Sequence, residues 1–175
     1  GEVHALVGEN GAGKSTLMKV MGGIHQPDSG TIELYGEPTT ISGPLDAQQR
    51  GISIIHQEFN LMPDLTVAEN IMLGHEMSTF GFSQRRATRA RAVKLLRQLG
   101  HSDISPTVEV SRLSAASQQI VSMARALSRD VKVMVMDEPS AVLDSGEVEQ
   151  LFAVVRELTA AGVAVIYISH RLEEI

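Results

Sequence analysis

Nine residues near the start, GENGAGKST at positions 8–16, restrict the fold of this chain more than any other feature. They follow a short, mostly apolar run, VHALV, which reads as a buried strand that stops at Gly8. Residues 14–24 then read as a helix. Small residues between a strand and a helix let successive backbone N–H groups close around an anion and form a nest. The helix that follows aims its positive end at the same point. Strand, glycine loop and helix together are the unit that a phosphate-binding loop requires.

The rest of the sequence continues the alternation. Pro27, Asp28, Ser29 and Gly30 make a turn, residues 31–35 alternate like a strand, and residues 36–38 turn again. GISIIH (51–56) is a second buried strand. From Thr66 to about Leu127 the helical period dominates. Thr66 with Glu69 suits a capping box. Residues 83–99 carry apolar side chains at helical spacing with Gly100 as the stop, and residues 114–127 form a further helix. Residues 131–136 read as a strand, 146–161 as a helix and 163–169 as a strand. Strands alternating with helices imply a mainly parallel sheet with crossovers. The expected fold is therefore α/β, of the P-loop NTPase kind, with a helical portion inserted into it. The boundaries expected are an α/β core at about 1–58 and 129–175 and a helical part at about 59–128, within one domain spanning 1–175.

Composition narrows the function. A length of 175 residues suits one domain. Aromatics are 3% with no Trp, so the core must be aliphatic. With no cysteine, disulfides, thiolate metal sites and a cysteine nucleophile are excluded. A net charge of -6 argues against nucleic acid as the main partner, because phosphate backbones call for a basic face. No apolar run approaches the ~20 residues of a membrane span, and no signal peptide is visible. Any link to a membrane is expected through another protein. The chain opens at Gly1, already entering a strand, and stops after a helix start, and so reads as a segment of a longer polypeptide.

The glycine loop fits the pattern GxxxxGK[ST], with Gly8, Gly13, Lys14 and Ser15 at the fixed positions. Glu9, Asn10, Gly11 and Ala12 span the loop, and Thr16 follows it. Lys14 is placed to reach the β- and γ-phosphates of a nucleoside triphosphate, and Ser15 to ligate Mg²⁺. The expected ligand is ATP with Mg²⁺. VMVMDEP sets Asp137 and Glu138 at the carboxyl end of an apolar strand, the edge where open α/β sheets bind ligands. Asp137 would hold Mg²⁺, directly or through water. Glu138, next along the chain and pointing elsewhere, would polarise an attacking water as general base. The competing reading of Asp-Glu-Pro-Ser is a helix entry with the acids as caps.

In this order the motifs resemble the nucleotide-binding domain of ATP-binding-cassette (ABC) proteins over essentially the whole chain. They are GENGAGKST, HQE at 56–58, LSAASQQ at 113–119, VMVMDEPSAVLD at 133–144 and ISHR at 168–171. The resemblance implies an ABC-type fold with an antiparallel β portion at the N-terminal side, truncated here. It implies that Gln57 touches Mg²⁺ and the attacking water, that Asp144 lies at a dimer seam, and that His170 contacts the γ-phosphate. The residues themselves agree on His170, which follows an apolar strand at the same sheet edge as Glu138. A histidine there can donate to a phosphate oxygen near neutral pH. The plainer alternative is a strand-end histidine facing water.

In ABC dimers ATP lies between one domain's P-loop and the other's signature segment, so a second nucleotide-binding domain is an implied partner. Where the family has LSGGQ, this chain has Leu113, Ser114, Ala115, Ala116 and Ser117, followed by Gln118. Ala116 stands in place of the second glycine. Its methyl is expected to crowd a γ-phosphate and to limit the backbone angles, leaving the site that this signature serves weak or inactive. That asymmetry, with HQEFNLMPDLTVAENIMLG (56–74) and ISHRLEEI (168–175), is similar to the first cassette of bacterial monosaccharide importers of the ribose, xylose and galactose type, in which two cassettes are fused in one polypeptide. The resemblance implies an ATPase at the cytoplasmic face of the bacterial plasma membrane. Permease subunits would be its direct partners, and a periplasmic or lipid-anchored sugar-binding protein an indirect one. Nucleoside import and a non-transport cassette are the alternatives. The basic stretch at 84–97 reads as a solvated amphipathic helix rather than an RNA or lipid site. Met18, Met21, Met134 and Met136 read as core filler, and His4, His25, His75 and His101 lack ligand spacing.

Overall fold

The computed structural model describes residues 1–9, 11–56, 60–74, 78–79 and 82–175. Asn10, Gln57, Glu58 and His75 lie outside the described residues. Strand β1 (Val3–Val7) leads through the glycine loop into helix α1 (Lys14–Met21). Strands β2 (Ile32–Leu34) and β3 (Glu37–Thr39) form an antiparallel hairpin, and α2 (Pro44–Gln49) precedes β4 (Ile52–Ile55). Next come α3 (Val67–Ile71), the two-residue strands β5 (Ser78–Thr79) and β6 (Phe82–Ser83), α4 (Arg85–Gln98) and α5 (Ala115–Leu127). The chain closes with β7 (Val133–Asp137), α6 (Ser145–Ala160) and β8 (Ala164–Ser169).

The main sheet has strand order β1-β8-β7-β4, and each neighbouring pair is parallel. Parallel pairing brings the carboxyl ends of these strands to one edge. The register pairs Val7 with Ser169, Asp137 with Ile168, and Ile55 with Met136. The residues that leave that edge are Gly8, His170, Glu138 and His56, so four stretches far apart in sequence converge there.

Side chains alternate across a strand, and the two faces have different covers. Val135 and Ile168 pack with Met18 of α1. Met134, Met136, Val165 and Tyr167 join the larger cluster with Leu151, Val154 and Val155 of α6. That cluster runs on without a break through Val121 and Met123 of α5 to Leu95 and Leu96 of α4 and to Val67 and Ile71 of α3. The helical portion and the sheet thus share one aliphatic core. The expected methionine filler is there: Met18, Met134 and Met136 are buried and Met21 is partly so. In α4 the buried positions are Thr88, Ala92, Leu95 and Leu96, while its arginines and Lys94 are exposed. This is the pattern of an amphipathic helix.

Four local features differ from the sequence expectation. Helix α1 ends at Met21, not at residue 24, because Gly23 turns to φ 71° and the N–H groups of Ile24 and His25 both fold back to the Lys19 carbonyl. The turn expected at 36–38 sits at Tyr35 and Gly36, both at positive φ, and Glu37 and Pro38 already belong to β3. Helix α2 was not anticipated; it buries a single residue, Ala47, too little to show as a period. Residues 101–113 carry a one-turn 3₁₀ segment (Val110–Arg112) rather than α-helix. Thr66 and Glu69 do form the capping box that starts α3. Among the described residues no helix is long and apolar enough to cross a membrane.

Candidate functional site

The glycine loop owes its shape to backbone angles that other residues resist. Gly11 has φ 86° and Gly13 φ 95°. Gly13 is the N-cap of α1 and supplies no side-chain cap. The first turn of α1 therefore leaves its N–H groups directed into the loop, where an anion satisfies them. Lys14 donates to the Gly8 carbonyl (2.5 Å) and the Glu9 carbonyl (3.1 Å), holding its ammonium over the loop. No acidic side chain lies in the first turn of α1, so nothing in that turn competes with a phosphate for the helix end.

Facing the loop across a cleft of about 480 Å³ are Asp137 and Glu138, with Gly11, Gly13, Lys14, Ser15 and Thr16 on the other side. Asp137 falls on the α1 side of the sheet because it keeps the parity of Val135 along β7. Burial is the main reason its carboxyl is pushed above the usual range. The neighbouring charge of Glu138 pushes the same way, and His56 and Lys14 pull back. Glu138 corrects the sequence expectation. Continued as a strand, it would point away from Asp137. Instead it adopts φ 46°, a left-handed angle that costs a non-glycine residue about 1–2 kcal/mol, and it lines the same cleft. Two bonds hold it there. Its N–H donates to the Ile168 carbonyl (3.0 Å), and its Oε1 meets His170 Nδ1 at 2.9 Å.

The helix-entry alternative for these acids does not hold. Helix α6 starts at Ser145, and its cap is Asp144, in a reciprocal box with Glu147 (2.9 and 3.0 Å). The water-facing alternative for His170 holds only in part: its side chain is half exposed and is paired with Glu138.

The signature segment lies elsewhere. Ser114 caps α5 and accepts from the Ser117 N–H (3.2 Å), and Gln118 donates to the Leu113 carbonyl (3.1 Å). None of residues 113–118 lines the cleft. Ala115 and Ala116 are in the first turn of a regular helix. The expectation that alanine limits the backbone at 116 therefore falls, since helical angles suit alanine. Only the added methyl remains as a difference from glycine.

Two residues escaped the sequence reading. His56, at the end of β4, acts on the charge of Asp137; its position beside Gln57 was the available signal. Glu174 accepts hydrogen bonds from Ser140 Oγ (2.7 Å), Ser169 Oγ (2.9 Å) and the Tyr167 hydroxyl (3.1 Å). Burial alone would raise its carboxyl, but these donors and Arg171 hold it below the usual range. Burial pushes the Tyr167 phenol well up. No local pattern announces Glu174, because its donors come from two other strand ends.

With this geometry in view, the description "ABC transporter" matches residues 1–141. The chain belongs to the ABC transporter family. The cassette is 53% identical over its whole length to "Ribose import ATP-binding protein RbsA 2" of Streptomyces avermitilis, covering 35% of that protein. It is 52% identical, again over its whole length, to "Putative ribose/galactose/methyl galactoside import ATP-binding protein 1" of Rhizobium meliloti, covering 34% of it. The chain thus spans about a third of the length of these relatives. Among solved structures, the ABC cassette resembles cbiO1 of Clostridium perfringens, with a TM-score of 0.83 and 26% identity over 99% of this chain and 69% of that one. It also resembles the ADP conformation of MJ1267, an ATP-binding cassette of an ABC transporter, with a TM-score of 0.81 and 28% identity over 99% and 70%. The α/β P-loop cassette fold, a parallel sheet plus a small antiparallel hairpin, is the one expected from the sequence.

Proposed function

We propose that this cassette binds and hydrolyses ATP with Mg²⁺ and so energises import of a monosaccharide across the bacterial plasma membrane. The observation that carries the reading is the cleft itself. A glycine-lined helix start and Lys14 face Asp137 and the Glu138–His170 pair across one sheet edge.

The donor set suits Mg²⁺. Ser15 and Asp137 offer hard oxygen ligands, and burial makes the Asp137 charge costly until a cation meets it. Among the described residues no group of three His, Cys, Asp or Glu is arranged to hold a metal ion by itself. This fits a cation that takes most of its ligands from water and phosphate. Bound there, Mg²⁺ would neutralise charge between the β- and γ-phosphates. The backbone N–H groups of residues 11–16 and Lys14 hold the phosphates. Glu138 orients and deprotonates the attacking water, and His170 donates to a γ-phosphate oxygen. Gln57 and Asn10, outside the described residues, complete this set in the proposal.

The site's remaining wall comes from the signature of a second nucleotide-binding domain, since residues 113–118 lie outside the cleft. The seam would include the stretch around Asp144. Ala116 makes the reciprocal site the weaker of the two. Within one cassette, residues 1–58 and 129–175 form the ATP-binding core, and residues 59–128 form the helical part that meets permease subunits. The names of the relatives, which speak of ribose and galactose import, support a monosaccharide cargo; as the ATP-binding part of an importer the cassette would sit peripherally at the cytoplasmic face. Glu138→Gln in the full-length protein should abolish ATP turnover and keep ATP binding. Substantial residual turnover would refute the assignment of the base.

A further inference from the structure

Glu138 and His170 meet at 2.9 Å, yet each sits on its own turn at the end of its own strand. What sets the distance between those turns is the question. Behind the pair, on the α6 side of the sheet, lies Glu174, whose side chain is 7% exposed. One of its oxygens, Oε1, accepts from Ser140 Oγ at 2.7 Å. Ser140 is itself buried and belongs to the turn that Glu138 opens, in which the Ala141 N–H donates to the Glu138 carbonyl (3.1 Å). The other oxygen, Oε2, accepts from Ser169 Oγ at 2.9 Å and from the Tyr167 hydroxyl at 3.1 Å. Ser169 immediately precedes His170, and its Oγ accepts the Arg171 N–H (2.9 Å), which fixes the backbone on both sides of the histidine. The Arg171 guanidinium lies 3.5 Å from Oε1.

We infer that Glu174 is a positioning residue for hydrolysis: its two carboxylate oxygens tie the Glu138 turn to the His170 turn and set the spacing of that pair. It does not line the cleft. It acts through Ser140 and Ser169, one oxygen to each turn. The inference rests on the proposal that Glu138 and His170 carry the chemistry. It follows that loss of the tie slows the chemical step while leaving the phosphate cradle, built from residues 8–16, intact. A misplacement of about 1 Å at a reacting group can lower a rate by ~100-fold.

The test uses the full-length protein with its permease. Glu174→Ala should lower kcat by about ten- to a hundredfold, with KM for ATP changed by less than about twofold. Glu174→Gln should recover most of the rate, because its amide oxygen still accepts from two hydroxyls and its NH₂ can donate to the third. Ser140→Ala and Ser169→Ala should each lower kcat, and combining either with Glu174→Ala should add little. A Glu174→Ala protein with unchanged kcat, or one whose loss is matched by a rise in KM, would overturn the inference. If Glu174→Ala fails to fold, the two serine variants decide: unchanged kcat in both overturns it. Glu138→Gln, measured in parallel, separates the two levels. If it keeps turnover, the site assignment fails. If it is inactive while Glu174→Ala is fully active, only the positioning role fails.

Discussion

Gly13→Ala should separate the stability of this cassette from its affinity for nucleotide. Gly13 has φ 95° and ψ 2°, and a Cβ built there meets nothing within 4 Å. The added methyl therefore causes no packing clash in the nucleotide-free protein, and the cost is backbone strain. A non-glycine residue in a left-handed conformation costs about 1–2 kcal/mol, and alanine returns about 0.4–1 kcal/mol by stiffening the unfolded chain. The net loss of stability should be about 1 kcal/mol. Gly13 lines the cleft, and a methyl there takes up room that phosphate oxygens would need beside the backbone N–H groups, so ATP affinity should fall by at least about tenfold, or ~1.4 kcal/mol. Gly23→Ala is the contrast. Gly23 also has positive φ (71°), but its Cβ would lie 2.5 Å from the backbone C and O of Gly43 and 2.9 Å from Ile41 Cγ2. It should cost more than about 3 kcal/mol, with ATP affinity of the folded fraction unchanged. Urea denaturation and titration with a fluorescent ATP analogue measure the two quantities. If Gly13→Ala binds ATP like the parent, or destabilises more than Gly23→Ala, the reasoning about this loop is wrong.

Three further outcomes follow from other sites. Asn70 is fully buried; its Oδ1 accepts from the Met62 N–H, and its NH₂ group donates to the carbonyls of Met62, Leu65 and Thr66. Asn70→Ala strands those groups and should cost about 2–4 kcal/mol in urea unfolding; a cost below about 1 kcal/mol would contradict the structure. Asp137→Asn tests the raised Asp137 carboxyl. Because its folded pKa lies above the unfolded value, the stability it contributes is full below the ordinary carboxylate range and is lost as pH rises through the raised value. The asparagine variant without nucleotide should therefore be more stable than the parent near neutral pH. That gain should shrink on acidification, and Mg²⁺-dependent ATP binding should weaken. Asp144→Ala should cost about 1 kcal/mol through loss of the α6 cap, read as a lower denaturation midpoint.

The site was legible in the sequence where chemistry and local structure coincide. A glycine loop must be contiguous to wrap a phosphate, so positions 8–16 declare themselves. Asp137 declares itself because an apolar strand ending in an acid is a local pattern. The direction of Glu138 was not legible: a left-handed angle at a non-glycine residue is stabilised by Ile168 and His170, which lie some thirty positions downstream. Glu174 was invisible for the same reason. Helix α2 was missed because burying Ala47 alone leaves no period to read, although Pro44 directly after Gly43 was a usable start signal. At Ala116 the sequence implies both a crowding methyl and a restricted backbone, and the regular helical turn leaves only the methyl.

The central claim is that one cleft at this sheet edge holds the triphosphate with Mg²⁺ between the glycine loop and Glu138–His170. A crystal structure of the full-length protein with Mg²⁺ and a non-hydrolysable ATP analogue tests it most directly. The account predicts phosphate oxygens within hydrogen-bonding distance of Lys14 and the N–H groups of residues 11–16, the cation on the Ser15 hydroxyl and the Asp137 side, and His170 beside the γ-phosphate. A triphosphate bound away from Asp137 and Glu138, or a γ-phosphate out of reach of His170, would contradict it.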